Sequence, residues 1–373
     1  MSILNSSSDP SVAIVLGTRP EIIKLSPVIR ACERQNVSYS VIHTGQHYSE
    51  SLDAVFFDQL ELPNPGHQLG VGSDTHAKQT AEMMVGIEEI LLKQDPEVVL
   101  VQGDTNTVLA GAIATSKLDI DLGHIEAGLR SFDQEMPEET NRVLSDHVGD
   151  YLFAPTETSR GLLLKEGVSE DRIYVTGNTV VDAVQENKEI AETKSSALTD
   201  LKLADQKFGL VTAHRAENVD CSERFADLLE GVQLVGEEFD MEMVYPIHPR
   251  AKERLEEFSL AVPEKVRLID PQDYLDFLRL QQEAEVILTD SGGIQEEASI
   301  LGVPCVTLRD NTERPETLEI GANELAGTDP EVILSCAVDM METDRTWDNP
   351  FGDGNAAEKI LEIITTDIRE DQK

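Results

Sequence analysis

The feature that most limits how this chain can fold is a rhythm. Short apolar runs rich in valine and isoleucine alternate with helical stretches along nearly its whole length. In the first half, residues 12–16, 40–43, 98–101, 123–125, 151–154 and 173–176 read as strands. In the second half, 208–212, 243–247, 266–269, 286–289 and 305–308 do so. Helices are predicted at about 21–33, 223–235, 274–282, 293–301, 331–341 and 355–366. Pro20 suits the start of the first, where an amide hydrogen would have no partner. Apolar strands separated by helices belong to parallel sheets covered on both faces. Between about 182 and 205 the sequence turns to Glu, Lys, Ser and Ala, and reads as a helical connection. The expected architecture is α/β, with two doubly wound parallel-sheet domains facing a central cleft. Ligands in such sheets bind beyond the carboxyl ends of the strands.

The 373 residues suffice for two cores of ordinary size. Lys and Arg total 30 against 71 Asp and Glu, a formal charge of −41, yet 40% hydrophobic residues exclude a disordered acidic tail. A field of that sign repels nucleic acid and anionic membrane, so neither is an expected partner. The charge suits either a cationic partner or a surface adapted to high salt. The acids are spread along the chain and lysine supplies only 13 of the 30 cations, which favours salt adaptation. Cys32, Cys221, Cys305 and Cys336 lie far apart without a CxxC pair, and reduced thiols are expected. His76, His124 and His147 have no metal-ligand spacing and are expected to be satisfied surface or core side chains. Residues 1–10 read as a loose polar tail without the pattern of a signal peptide. No apolar stretch approaches a membrane span, and a cytoplasmic location is expected.

The turns after the strands hold the chemistry-bearing groups. Thr18, Arg19, Glu21 and Lys24 follow the first strand, Asp104 the third, and Glu126 and Arg130 the fourth. A loop with Glu138 and Glu139 follows, and Arg142 stands four residues after Glu138. One surface acid means little in this chain, but Asp104, Glu126 and Glu138 would converge near one cleft. Carboxylates held close raise one another's pKa and supply an acid and a base near neutral pH. Arg19, Lys24, Arg142 and Arg314 would bring the countercharge for an anionic substrate. In the second half, His214-Arg215, His248 and Asp290-Ser291-Gly292-Gly293 follow strands, and Arg314 and Glu316 sit in the loop after the last one. There is no GxGxxG. Ser291-Gly292-Gly293 either opens a helix onto a phosphate or is a simple tight turn. A carboxylate among Gln295-Glu296-Glu297 can take two ribose hydroxyls. His214 and Arg215 would meet a diphosphate, and Phe277 either stacks on a base or packs in the core. His43 and Gln46-His47 edge the site or a regulatory pocket.

Taken together, these strings resemble one family. Gly17-Thr18-Arg19-Pro20-Glu21-Ile22-Ile23-Lys24, Gln102-Gly103-Asp104-Thr105 and His124-Ile125-Glu126-Ala127-Gly128-Leu129-Arg130 resemble motifs of the non-hydrolysing UDP-N-acetylglucosamine 2-epimerases. So do Pro137-Glu138-Glu139-Thr140-Asn141-Arg142, Asp290-Ser291-Gly292-Gly293-Ile294-Gln295-Glu296-Glu297 and Thr312-Glu313-Arg314-Pro315-Glu316. They stand in the family order, and the resemblance runs from about residue 12 to 365. It implies the GT-B fold, with a Rossmann-like domain over 11–180 joined by the C-terminal helix at about 355–370. A second Rossmann-like domain over 181–354 would bind UDP. It implies reversible conversion of UDP-N-acetylglucosamine to UDP-N-acetylmannosamine, by elimination of UDP to a glycal and re-addition with carbon 2 inverted. No nicotinamide, metal or other cofactor is implied, the partner is a UDP-sugar, and the assembly is a homodimer.

By this resemblance Asp104, Glu126 and Glu138 match the acid/base carboxylates, and Arg19, Lys24 and Arg142 the sugar and phosphate site. His214 matches a diphosphate contact and joins the catalytic set. Arg215, His248, Ser291, Gly292, Gly293 and Arg314 join the substrate-binding set near the phosphates, with Glu297 on the ribose and Phe277 facing uracil. Ala216 stands where many members have a second arginine, and the run Pro246-Ile247-His248-Pro249-Arg250 also departs from the commoner bacterial pattern. Gln46-His47 match part of an allosteric pocket of bacterial members, with no arginine partner between residues 64 and 80. The alternatives are a 2-epimerase of a 2,3-diacetamido uronate and a GT-B glycosyltransferase. The latter shares the nucleotide site but needs one base.

Overall fold

The computed structural model describes residues 11–46, 50–133 and 135–371. The tail over 1–10 and His47 lie outside the described residues. The first part of the chain forms β1 (Val12–Leu16), α1 (Arg19–Gln35), β2 (Tyr39–His43), α2 (Glu50–Gln59), β3 (His67–Gln68), α3 (His76–Gln94) and β4 (Val98–Gln102). It continues with α4 (Asn106–Thr115), β5 (Asp121–Ile125), α5 (Pro137–Val148), β6 (Tyr151–Ala154), α6 (Glu157–Lys165), β7 (Ile173–Val175) and α7 (Thr179–Lys194). There follow α8 (Ala197–Asp200), β8 (Phe208–Thr212), α9 (Ala216–Val219), α10 (Ser222–Glu238), β9 (Glu242–Pro246), α11 (Pro249–Glu257), β10 (Val266–Ile269) and α12 (Tyr274–Glu283). The chain ends with β11 (Ile287–Thr289), α13 (Gly292–Leu301), β12 (Cys305–Thr307), α14 (Pro315–Glu319), β13 (Asn323–Leu325), α15 (Pro330–Glu342) and α16 (Ala356–Asp371).

These elements gather into two compact units. Unit 1 takes residues 1–183 and 351–373, and unit 2 takes 184–350. Among the described residues, unit 1 has a seven-stranded sheet in the order β3-β2-β1-β4-β5-β6-β7, and unit 2 a six-stranded sheet in the order β10-β9-β8-β11-β12-β13. Every strand pairing is parallel. Parallel strands covered by helices must be apolar throughout, and β1, β4 and β8 are buried at every residue. In each sheet the order reverses once, between β1 and β4 and between β8 and β11. Helices leave opposite faces at that point, which opens a crevice at the carboxyl ends of the two strands.

Local chemistry explains how α1 starts, continues and stops. Thr18 is its N-cap in extended backbone, and Glu21 accepts the amides of Gly17 (2.7 Å) and Thr18 (2.8 Å). Pro27 cannot donate to the carbonyl of Ile23, and the Ser26 hydroxyl takes that acceptor instead at 2.8 Å. Asn36 ends the helix in the left-handed region at φ 55°. At the other end of the chain, the buried Asp182 carboxylate accepts the amides of Ala356 (3.2 Å) and Ala357 (2.9 Å). It thereby fastens the start of α16 within unit 1, and Ile360, Leu361 and Ile364 are fully buried.

Several expectations need correction. Helix α1 begins two residues early, at Arg19, because the Thr18 cap precedes Pro20. The connection expected from residue 182 is a helix already from Thr179, and it breaks at Ser195-Ser196 before α8. The edge strands β3 and β13 were not expected; two and three residues are too few to carry a pattern. Glu138 and Glu139 lie in the first turn of α5 rather than in a loop. Arg314 does not follow the last strand: it caps α14, which holds Glu316, and β13 comes afterwards.

Candidate active site

In unit 1 the turns beyond β1, β4 and β5 hold the predicted groups. Glu126 follows β5 at φ +69°, a left-handed conformation that costs a non-glycine residue energy and is kept only where its surroundings enforce it. Its carboxylate is buried and accepts from Lys24 Nζ of α1 (2.6 Å), from Asn178 Nδ2 (2.8 Å) and from the Gln102 amide at the end of β4. Gly103 (φ +87°) follows Gln102, and a Cβ there would stand 3.7 Å from Glu126 Oε2. The next residue, Asp104, pairs with Arg142 of α5, whose other nitrogen lies 3.0 Å from Glu139. Asp104 and Glu126 thus each face a cation.

Glu138, by contrast, is half-exposed, and among the described residues its side chain has no hydrogen-bond or ion-pair partner. The carboxylate that Arg142 reaches on α5 is Glu139, one residue later, which the amides of Ser131 and Phe132 also hold. Burial works against the charge of Glu139, but the Ser131 hydrogen bonds and Arg142 outweigh it and leave its pKa below the usual carboxylate value. Arg19 is half-buried with its guanidinium 5.7 Å from the centre of the Phe56 ring. His43 is buried edge-on to Phe57, and Gln46 turns inward, accepting from the Thr107 amide (3.1 Å) and hydroxyl (2.8 Å).

Two buried groups behind these turns had no role in the sequence reading. Glu21 accepts from Gly17, Thr18 and the Thr105 hydroxyl, so it joins the turn of Arg19 to the turn of Asp104. Burial pushes its pKa up to about 7 against those hydrogen bonds. His124 was expected to be a satisfied surface or core side chain, and it is wholly buried between Asp146 and the Gly103 carbonyl. Gln102, Asn178 and Glu139 were also missed as partners. Their signal was position: each of the first two ends a strand or follows one closely.

In unit 2 the groups stand beyond β8, β9 and β11. Asp290 Oδ2 accepts the amides of His214 and Arg215 (both 2.9 Å), and Oδ1 lies 3.0 Å from His214 Nδ1. Burial opposes the charge of Asp290, but His214 and the two amides prevail and hold its pKa below the usual value. One carboxylate thereby shapes the His214-Arg215 turn. The His214 side chain is 44% exposed and its ring centre stands 6.0 Å from that of His248. The Nδ1 of His248 accepts the Arg250 amide at 3.2 Å, which marks the imidazole as neutral with its Nε2 the donor. Burial, His214 and Arg250 all lower its pKa.

Ser291 is the N-cap of α13, followed by Gly292 and Gly293. A Cβ on Gly293 would meet nothing within 4 Å, while one on Gly292 would stand 3.8 Å from Glu313 Oε2, so the helix start is open at Gly293. Glu297, one turn on, accepts from Gln281 Nε2 at 2.6 Å, and Arg314 Nε lies 2.6 Å from the buried Glu296. Phe277, read as base-facing or core, is half-buried on α12 and packs against the cluster of Leu210, Leu280 and Ala298. Sequence reasoning missed Arg309, which grips both oxygens of Glu313 (2.8 and 2.9 Å) and holds its pKa down to about 2. Among the described residues no group of three or more His, Cys, Asp or Glu is arranged to hold a metal ion, and no helix is long and apolar enough to cross a membrane.

A family model described as UDP-N-acetylglucosamine 2-epimerase matches residues 30–365. The UDP-N-acetylglucosamine 2-epimerase of Methanocaldococcus jannaschii is 54% identical over 360 residues, which cover 95% of this chain and 98% of that protein. The protein of the same name from Methanococcus maripaludis is 51% identical, with 95% and 98% covered. A crystal structure of the M. jannaschii protein in complex with UDP-GlcNAc and UDP superposes with a TM-score of 0.83 at 53% identity, covering 95% of this chain and 99% of that one. The two parallel-sheet units are those of the GT-B fold class, as in these neighbours. Matched along nearly its full length by sequence and by fold, the chain belongs to the UDP-N-acetylglucosamine 2-epimerase family.

Proposed function

We propose that this protein interconverts UDP-N-acetylglucosamine and UDP-N-acetylmannosamine by inverting carbon 2. The observation that carries the reading is the strained, buried Glu126 held by Lys24, beside the Asp104–Arg142 pair at the switch point of unit 1. A proton on the carbon bearing the acetamido group is not acidic. Its removal becomes feasible when the bond from carbon 1 to UDP breaks at the same time, taking the electron pair to the diphosphate. The glycal so formed takes a proton on its other face, and UDP returns at carbon 1. Both epimers react, so a base and an acid are needed on opposite faces of carbon 2. Asp104, Glu126 and Glu138 are assigned to this work, with Arg19, Lys24 and Arg142 holding the sugar and its charge.

In the same reading His214, Arg215, His248, Arg314 and the α13 start formed by Ser291, Gly292 and Gly293 receive the diphosphate. Donors fixed in advance stabilise a leaving anion without reorganising. Glu297 takes the ribose and Phe277 the base. The protein acts as a cytoplasmic homodimer, and its charge of −41 is an adaptation to high salt. Incubation with UDP-N-acetylglucosamine in deuterated water and concentrated potassium chloride tests the function. Deuterium should enter carbon 2 while UDP-N-acetylmannosamine accumulates. Folded protein that exchanges no proton refutes the reading, and exchange only on a 2,3-diacetamido uronate reassigns the substrate.

A further inference from the structure

His124 lies on β5, two residues before Glu126, with no solvent exposure. Its Nε2 is 2.8 Å from the carbonyl oxygen of Gly103 and its Nδ1 is 2.7 Å from Asp146 Oδ1. A carbonyl oxygen can only accept, so Nε2 carries a hydrogen. The other oxygen of Asp146 accepts the Gly128 amide at 3.1 Å and lies 2.7 Å from Arg130 Nη2, which is the company of an ionised carboxylate. Nδ1 must then carry a hydrogen as well. We propose that His124 is a permanent imidazolium that positions the turns of Asp104 and Glu126, a role that rests on reading those two acids as the catalytic carboxylates.

The charges around the ring balance. Asp146 faces it from α5, and Glu126 from the turn after β5. Arg130 meets Asp146 and also Glu166 beyond α6 (2.6 Å), while Lys24 reaches Glu126 from α1. Three cations thus meet three anions; His124, Asp146 and the Arg130 side chain are shut off from solvent, and each of those charges is costly to remove alone. Burial works to neutralise the ring, but Asp146 outweighs it and raises the His124 pKa; Asp146 is correspondingly lowered. The hydrogen bond to Gly103 orients the peptide that leads directly into Asp104. The positive ring also favours the ionised form of Glu126. His124 touches no substrate in this account; it is a positioning residue.

Nitrogen-15 spectra of the histidine-labelled protein test the charge directly, with the His124 signals assigned by their loss in His124→Gln. Both ring nitrogens should stay protonated from about pH 6 to about pH 9, across the range where an ordinary histidine loses its charge. A neutral ring, or a titration inside that range, overturns the proposal; if His124→Gln does not fold, loss of the signals in His124→Asn assigns them instead. His124→Gln retains a donor for the Gly103 carbonyl but removes the charge. Its rate of carbon 2 exchange should fall roughly tenfold to a hundredfold with KM changed less than about threefold, the size of loss expected from misplaced reacting groups. The acid limb of the rate profile should move to higher pH, and UDP binding should persist. Asp146→Asn should move that limb in the same direction. A folded His124→Gln with the kcat and pH profile of the parent overturns the positioning role. Absence of exchange in the unaltered protein refutes the assigned reaction instead, and leaves the charge of His124 to the spectra.

Discussion

Unit 1 and unit 2 both place their functional turns beyond strands at or next to the point where the strand order reverses, yet they furnish those turns in opposite ways. In unit 1 the groups beyond β4 and β5 are acids, and the residues behind them are cations: Lys24 on Glu126, Arg142 on Asp104, and His124 behind both turns. In unit 2 the groups beyond the strands are His214, Arg215, His248 and the open end of α13. The residues behind them are acids, with Asp290 under the first two and Glu296 on Arg314. Each set is held by partly or wholly buried groups of the other sign. Burial would otherwise neutralise the charged forms or splay them toward water. A carboxylate kept ionised suits proton transfer, and fixed donors suit a diphosphate, so the contrast is the division of labour expected of an epimerase.

Substitutions on the two sides should separate these roles. The largest effect is expected from Glu126→Gln, which should slow carbon 2 exchange by at least about 10²–10⁴-fold, the usual worth of a positioned acid or base. Calorimetric titration with UDP should give an affinity like that of the parent; loss of UDP binding instead would erase the contrast between the units. Next is Glu21, whose pKa rises from 4.5 unfolded to about 7 folded. Between those values the unfolded chain ionises while the folded one stays protonated, so stability falls as pH rises from about 4.5 to 7 and is level above. The loss amounts to about 3 kcal/mol by linkage. Glu21→Gln mimics the protonated form, and urea unfolding should show it at least as stable as the parent at pH 7.5 and without that slope.

A smaller effect is expected in unit 2. Asp290→Asn leaves an oxygen for the amides of His214 and Arg215 but turns an N–H toward His214 Nδ1, forcing the other tautomer. UDP affinity should weaken about tenfold, the equivalent of one charge-assisted hydrogen bond. Unchanged affinity would mean that the His214-Arg215 turn does not depend on its buried acid. Smallest should be the response to salt. Acidic residues outnumber basic ones by 34 to 15 in unit 1 and by 37 to 15 in the shorter unit 2. Raising potassium chloride from about 10 mM to about 1 M shortens the screening length from about 30 Å to about 3 Å. The melting temperature should rise by several degrees, and a calorimetric trace that resolves two transitions should show the larger rise in unit 2.

Much of this was legible without coordinates. The strand at Val12–Leu16 is readable because every residue is apolar and buried on both faces, and the post-strand turns follow from the architecture. Legibility failed where a partner lay far away in sequence. Lys24 and Glu126 are separated by 102 residues, and no local pattern pairs them. Spacing set Arg142 one helical turn from Glu138, but the arginine turns to Asp104 and Glu139. His124 read as an ordinary surface or core histidine because nothing near it in sequence announces Asp146. Glu21 was given no role because its third donor, Thr105, comes from the neighbouring strand's turn.

The sequence by itself determined the two parallel sheets, the turns that carry chemistry, and the family those turns resemble. Apolar periodicity, caps and glycines act over a few residues and so can be read along the chain. Only the tertiary structure decided the charge state and orientation of each group in those turns. Those depend on which buried partner lies within about 3 Å, and that is settled by packing between elements far apart in the chain.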